Sequence, residues 1–121
     1  MLITRKRAAL TLGIAAGMLA LGIGPAYADW RANVTGGYGY VKTNKLRVGA
    51  CDTSGNNWGV RTFYVTSEGV NDSVGDYNGS SSGCGEEGPS GGGYITKYRV
   101  CTGPGSENRQ CNPSTTGWIQ L

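Results

Sequence analysis

The sequence contains no histidine, so the side chain that most often acts as a general base or binds a transition metal is missing. The usual Ser–His and Cys–His arrangements for nucleophilic catalysis are therefore excluded. Its four cysteines are separated by 33, 17 and 10 positions, and no C-x-x-C pair occurs among them. These spacings do not fit a zinc site or a dithiol redox centre.

Carboxylates are the side chains left for acid–base catalysis. Glu86 and Glu87 adjoin in a Gly/Ser-rich stretch, and Asp72 and Asp76 lie four residues apart on one face of a predicted strand. A glycosidase needs two carboxyl groups across a cleft, and such a cleft is difficult to build in so short a chain. We therefore expect no catalytic residue, no cofactor and no enzymatic activity.

A calcium site is the remaining metal alternative, because Asp76-Tyr77-Asn78-Gly79 resembles part of a calcium-binding loop. With Gly79 at the loop's glycine position, Val74 and Gly85 would stand where the first ligand and the bidentate glutamate belong. Neither can supply a side-chain ligand, so an Asn-Gly turn explains the segment better. What stays open is a weak site built from Asp72, Asp76, Glu86 or Glu87.

The first 28 residues have the pattern of a secretory signal peptide. Arg5-Lys6-Arg7 forms a basic start, an uncharged apolar run covers Ala8 to Gly24, and Ala26-Tyr27-Ala28 matches a signal-peptidase site. The apolar run has about 17 residues, at the lower limit for crossing a bilayer, and no charged cluster follows it. We expect cleavage after Ala28 and a single secreted domain at residues 29–121.

Charge is balanced once the signal is removed. Three of the 11 basic residues lie in the signal, so the remaining 8 equal the 8 acidic ones. These 8 cations are scattered and form no basic run. We therefore expect no binding to nucleic acid and no membrane contact after cleavage.

The cysteines all follow the predicted cleavage site and would meet an oxidising compartment, where they form disulfides. Three pairings of Cys51, Cys84, Cys101 and Cys111 are possible. We favour Cys101–Cys111, which closes a polar segment between two strand-like runs, together with Cys51–Cys84. The second bond would tie the Gly-rich loop Gly79–Gly93 to the end of an earlier strand.

Short runs rich in Tyr, Val, Thr and Trp, separated by turn residues, predict an all-β domain. Six or seven antiparallel strands with two disulfides indicate a small β-sandwich or barrel. The alternation is strongest at Trp58–Thr66, which we expect in the middle of a sheet. The other expected strands are Trp30–Val34, Tyr38–Lys42, Leu46–Asp52, Val70–Tyr77, Tyr94–Thr102 and Trp118–Leu121.

Four segments together resemble a set of small secreted proteins of actinomycetes: G-A-C-D-T at 49–53, W-G-V-R-T at 58–62, D-Y-N-G-S-S-S-G-C at 76–84 and Y-R-V-C at 98–101. The resemblance covers most of residues 45–118. It implies an export signal, a short β-rich mature part and comparable cysteine positions, and it transfers no site residue. Separately, S-G-G-G-Y at 90–94 has the S-G-x-x-Y outline of a family of bacterial lysozyme inhibitors.

Aromatic residues are the most informative surface candidates. Three tryptophans, one phenylalanine and six of the seven tyrosines follow the predicted cleavage site. We expect Trp58, Phe63 and Tyr64 to fill the core. The others either complete the core and its edges or form an exposed platform for sugar rings or a protein partner; the candidates are Trp30, Tyr38, Tyr40, Tyr94 and Trp118.

These patterns favour a secreted, monomeric, non-enzymatic domain that acts by binding. Its ligand would be an extracellular polysaccharide or a cell-surface component, held by the aromatic side chains. One alternative is an inhibitor or toxin-like effector that presents Gly79–Gly93, with Glu86 and Glu87, to a partner protein. Another is a passive envelope or matrix protein without a specific ligand.

Overall fold

The structure is a computed structural model that describes residues 29–77, 83–104 and 107–121. Within these segments it contains nine strands and no helix. The strands are β1 Trp30–Val34, β2 Gly37–Val41, β3 Val48–Asp52, β4 Trp58–Thr66, β5 Asn71–Asp76, β6 Gly85–Glu87, β7 Ile95–Pro104, β8 Gln110–Asn112 and β9 Ile119–Gln120. The all-β class is confirmed, and the two short strands β6 and β8 are additional to the seven expected.

The strands form two antiparallel sheets. The first sheet has the order β1-β2-β3-β6, and the second has the order β9-β7-β4-β5, with β8 also paired to β7. Buried side chains from both sheets form one core cluster, to which β1, β2 and β3 contribute from one side and β4, β5 and β7 from the other. The fold is therefore a small sandwich with its outer faces turned to solvent.

Strand β4 lies between β5 and β7, as its alternating sequence predicts. Val60, Thr62 and Tyr64 are fully buried, whereas the intervening Arg61 and Phe63 lie on the outer face. Because side chains of a strand alternate between the two faces, one strand supplies both the centre of the core and the middle of an exposed surface.

Core composition differs partly from the expectation. Tyr64 is fully buried as predicted, but Phe63 and Trp58 are only half-buried. Phe63 occupies an outward position of β4, and Trp58 is the first residue of that strand, before the pairing with β5 begins at Val60. The second large core residue is Tyr98, which lies directly opposite Tyr64 in register.

A close approach between the sheets occurs at Gly39 of β2. A Cβ atom at this position would collide with the Thr62 hydroxyl and with a methyl group of Val100. The Thr62 hydroxyl donates a 2.8 Å hydrogen bond to the carbonyl of Gly49. Glycine therefore leaves room for a buried polar contact that joins the two sheets.

Both predicted disulfides are confirmed: Cys51–Cys84 and Cys101–Cys111. The second joins directly paired positions of β7 and β8. Within the Gly79–Gly93 stretch, expected as a loop, Gly85–Glu87 forms β6, which pairs with β3 and places Glu86 opposite Gly49. Cys84 thus lies immediately before an edge strand of the first sheet. Its disulfide to Cys51 attaches this glycine-rich segment to β3, which explains why the segment contains a cysteine.

Residues 1–28, which contain the predicted signal peptide, lie outside the described residues. In the part of the chain that is described, no helix is long and apolar enough to span a membrane.

Candidate binding site

The outer face of the first sheet carries a tyrosine fixed flat against the backbone. Tyr40 of β2 is paired with Gly49 of β3, and a Cβ atom added to Gly49 would collide with the Tyr40 ring. The ring therefore lies across the glycine, as aromatic side chains do where a strand leaves its backbone uncovered. Only glycine at position 49 permits this orientation.

The hydroxyl of Tyr40 extends across β3 to the edge strand β6 of the same sheet. It donates a 2.5 Å hydrogen bond to Oε1 of Glu86, and Nε of Arg47 lies 3.0 Å from Oε2 of the same carboxylate. The bond from Tyr40 is the main cause that lowers the pKa of Glu86, with Arg47 acting in the same direction. Burial, followed by the bond to Glu86, raises the pKa of Tyr40. At neutral pH the pair is a neutral donor and an anionic acceptor, which holds the ring in place.

Charged side chains surround this tyrosine and its neighbour Tyr38. The guanidinium carbon of Arg31 lies 3.4 Å from the centre of the Tyr38 ring, and the two tyrosine rings are 6.3 Å apart. Nζ of Lys42 lies 5.3 Å from the centre of the Tyr40 ring and 3.4 Å from a carboxylate oxygen of Asp29. Cation–π and ionic contacts therefore order the long side chains beside both rings.

A groove of about 400 Å³ runs along these residues, within the size range of small-ligand sites. We call it the tyrosine groove; its lining consists of Asp29, Arg31, Tyr38, Tyr40, Lys42 and the Cys51–Cys84 disulfide. The groove combines aromatic surface with donors and acceptors of both charges. Such a lining suits a polar ligand with an apolar ring face.

The chain matches no protein-family model, no curated protein and no solved structure. The tyrosine groove and its chemistry are consequently the basis for a functional proposal. Fold alone would not supply one in any case, because one β-sandwich architecture serves many unrelated functions.

The predicted aromatic candidates divide among four places. Tyr38 and Tyr40 come together in the tyrosine groove. Trp30 is partly buried and packs against the core, while Tyr94 is 50% exposed just before β7. Trp118 lies on the outer face of the second sheet, beside Arg99. The five aromatic residues therefore do not form a single platform.

Glu86 and Glu87 lie on opposite faces of β6 and serve different contacts. Glu86 faces outward to Tyr40, whereas Oε2 of Glu87 accepts a 2.5 Å hydrogen bond from the hydroxyl of Tyr64 in the other sheet. Burial and the bond to Glu87 raise the pKa of Tyr64. Because their side chains diverge, the two glutamates do not form one catalytic pair.

The two aspartates of β5 are also engaged in protein contacts. Asp76 is buried and accepts a 2.8 Å hydrogen bond from the backbone N–H of Asp52. Asp72 accepts hydrogen bonds from the hydroxyl of Ser90 and the N–H of Ser73. Across the described segments, no three cysteine, aspartate or glutamate side chains gather closely enough to hold a metal ion.

The S-G-G-G-Y segment is attached to the body of the domain at its first residue. Besides the bond to Asp72, the Ser90 hydroxyl lies 3.0 Å from the hydroxyl of Tyr64. Gly91, Gly92 and Gly93 follow with positive φ values, which glycine adopts without strain. Ser90 therefore attaches the residues after β6 to Tyr64 and Asp72 of the second sheet. Tyr94 is the residue of this segment with a large exposed side chain.

Sequence reasoning missed Asp29, Arg31 and Lys42 as lining residues of the groove. A signal for one of them was present: Tyr38, Tyr40 and Lys42 alternate at the period of a strand and so share one face. Arg31 and Asp29 could not be found in this way, because their approach depends on the pairing of β1 with β2.

Proposed function

We propose that this protein is an exported, non-enzymatic domain that binds an extracellular polysaccharide or a cell-surface glycan in the tyrosine groove. The observation that carries the proposal is the Tyr40 ring, which lies flat over Gly49 within a groove lined by charged side chains. The two disulfides are compatible with an oxidising, extracellular setting.

Sugar rings present two kinds of surface, and the tyrosine groove offers a partner for each. Their C–H face carries weak positive charge and stacks on the negative face of an aromatic ring. Their hydroxyl groups both donate and accept hydrogen bonds, which suits the carboxylate of Asp29 and the cations of Arg31 and Lys42.

Preorganisation of the tyrosine groove favours binding of a weakly held ligand. The Tyr40 ring is fixed by Gly49 beneath it and by Glu86 at its hydroxyl, and Arg31 is stacked on Tyr38. Because these side chains are already ordered, a ligand that contacts them loses little binding free energy to side-chain entropy. The Cys51–Cys84 disulfide contributes a covalently fixed part of the lining.

The inhibitor alternative receives less support from the geometry. The part of the Gly79–Gly93 segment with the two glutamates is paired to β3 as β6, and Glu86 and Glu87 are bonded to Tyr40 and Tyr64. Residues 78–82 lie outside the described residues. A presented inhibitory loop would use side chains that are free to reach a partner, whereas the carboxylates of both glutamates are engaged by tyrosine hydroxyls of the domain.

Retention on a panel of insoluble glycans tests the proposal. Tyr40→Ala should lower retention about tenfold, the effect of losing one buried aromatic contact. Tyr40→Phe keeps the ring and should retain most of the binding. Tyr94→Ala removes an exposed tyrosine outside the groove and is the matched control.

Far-UV circular dichroism and thermal unfolding of each variant establish that the fold is intact. Equal retention of the wild type and a folded Tyr40→Ala variant would refute the tyrosine groove as the site. Failure of the wild type to bind any glycan of the panel would refute the glycan proposal itself.

A further inference from the structure

The outer face of the second sheet has a different charge from the rest of the domain. Register places three pairs of side chains from β4 and β7 outward there, Arg61–Cys101, Phe63–Arg99 and Val65–Lys97, so three of these six side chains are cations. On the neighbouring strand β5, the residues that point to the same outer face are uncharged: Asn71, Ser73 and Gly75. Since the chain after residue 28 has equal numbers of cationic and anionic residues, this face is locally positive.

Arg99 is held between two aromatic rings on this face. Its guanidinium carbon lies 4.2 Å from the ring centre of Trp118 and 5.4 Å from that of Phe63. Its Nη1 donates a 3.3 Å hydrogen bond to the carbonyl of Gly117. Lys97 adds a second cation, with Nζ 5.1 Å from the Trp118 ring centre. These contacts fix the direction of the guanidinium group.

A groove of about 340 Å³ passes between these residues and β5. We call it the arginine groove; its lining consists of Phe63, Tyr64, Asn71, Asp72, Ser73, Arg99 and Trp118. Asp72 is the acidic residue of this lining, and both its oxygens accept hydrogen bonds, from Ser73 and Ser90. The bond from Ser90 is the main cause that lowers the pKa of Asp72. Asp72 therefore stays ionised, but both its oxygens are engaged by donors of the domain, and nearby Arg61 partly balances its negative charge.

We propose that the arginine groove binds an anionic glycan that carries carboxylate groups, such as a uronate polymer. Arg99 would pair with the carboxylate, because a guanidinium group presents five donors in a planar fork and can hold Gly117 and a ligand together. Phe63 and Trp118 flank this cation and offer ring faces to the sugar, which an acidic peptide would not require. Asn71 and Ser73 supply polar groups for hydroxyls.

This site is independent of the tyrosine groove, since the two grooves lie on the outer faces of different sheets. The probe is polygalacturonate, compared with its methyl-esterified form and with polyglutamate, in titrations at low and high salt. We expect binding to polygalacturonate that weakens with salt, and weaker binding to the ester, which lacks the charge. Arg99→Gln should lose about tenfold or more in affinity, the loss expected for a charge-assisted hydrogen bond.

Arg109→Gln is the matched control, because Arg109 is an exposed cation of the same sheet region that is paired with Glu107 away from the groove. Arg99→Lys and Trp118→Ala keep the total charge and should also weaken binding, which separates recognition from nonspecific attraction. Circular dichroism checks that each variant is folded.

Three results would overturn the proposal. Equal losses for Arg99→Gln and Arg109→Gln would mean that only net charge matters. Polyglutamate binding as tight as polygalacturonate binding would assign the arginine groove to an acidic protein segment instead. Absence of any binding to polygalacturonate at low salt would also contradict it.

Discussion

The hydroxyl of Tyr64 donates a 2.5 Å hydrogen bond to Oε2 of Glu87, and this contact joins the central strand of the second sheet to the edge strand of the first. The backbone N–H of Ser90 donates a further 3.2 Å bond to the same hydroxyl. A ring that is fully buried therefore ends in a polar cluster that attaches β6 and the following residues to the body of the domain.

Removal of this hydroxyl should destabilise the domain. Tyr64→Phe leaves the Glu87 carboxylate and the Ser90 amide without their shared partner, and the cost should be about 1–3 kcal/mol in the free energy of unfolding. Urea denaturation followed by tryptophan fluorescence measures it. Tyr94→Phe, at an exposed tyrosine, should change the stability little, and equal stability of Tyr64→Phe and wild type would contradict the role of the cluster.

Stability should fall in acid through Glu86 and Asp72. The pKa of each carboxyl group is lowered in the folded state, mainly by a hydrogen bond from Tyr40 to Glu86 and from Ser90 to Asp72. Each group therefore stabilises the fold above its ordinary pKa, and the contribution is lost as the pH falls through the lowered folded-state pKa.

Glu86→Gln separates one of these contributions. The variant should be less stable than wild type at neutral pH and should approach wild-type stability as the pH falls below the lowered folded-state pKa, where the carboxyl group is protonated in both states. Chemical denaturation at a series of pH values measures the difference. A stability difference that does not change with pH would show that the charge of Glu86 is unimportant.

Gly39 should tolerate no larger residue. Gly39→Ala places a methyl group against Thr62 and Val100 at a close contact between the sheets, and the overpacking should cost about 1–3 kcal/mol. Gly55→Ala is the matched control, because no atom lies within 4 Å of an added Cβ there. Thermal unfolding of both variants compares them, and equal melting temperatures would contradict the close sheet contact.

The two disulfides should contribute unequally to stability. Cys51–Cys84 spans 33 residues of sequence and Cys101–Cys111 spans 10. In the chain-entropy description, crosslinks of these lengths stabilise by about 4 and about 3 kcal/mol respectively. Paired Cys→Ser variants of each bond, compared by urea denaturation, should therefore show the larger loss for the first bond. The reverse order would contradict an entropic origin.

Much of the fold could be predicted because periodicity is a local property of the chain. Trp30–Val34 and Trp58–Thr66 have the bounds expected for them, since alternating Val, Thr and aromatic residues mark a strand without knowledge of its partners. The disulfide pairing could be predicted because Cys101–Cys111 closes a polar segment between two strand-like runs, which leaves Cys51 to pair with Cys84. Strand β6 could not be predicted in this way, because three residues, Gly-Glu-Glu, show no periodicity and depend on pairing with β3.

The candidate sites were harder to predict because they depend on register between strands. The sequence indicated that Tyr38 and Tyr40 share a face, but their neighbour Arg31 follows from the pairing of β1 with β2. Phe63 was expected in the core and lies outward beside Arg99, because the inward positions of β4 are those of Val60, Thr62 and Tyr64. The division of the aromatic residues between two faces is likewise a property of the assembled sandwich.

The central claim, that sugar rings bind over Tyr40 in the tyrosine groove, is tested most directly by amide NMR spectra recorded during titration with a soluble fragment of a glycan that the protein retains. The account predicts that resonance shifts concentrate at Arg31, Tyr38, Tyr40 and Gly49, and that they disappear in Tyr40→Ala. Shifts that concentrate on other strands, or that persist unchanged in a folded Tyr40→Ala variant, would contradict it.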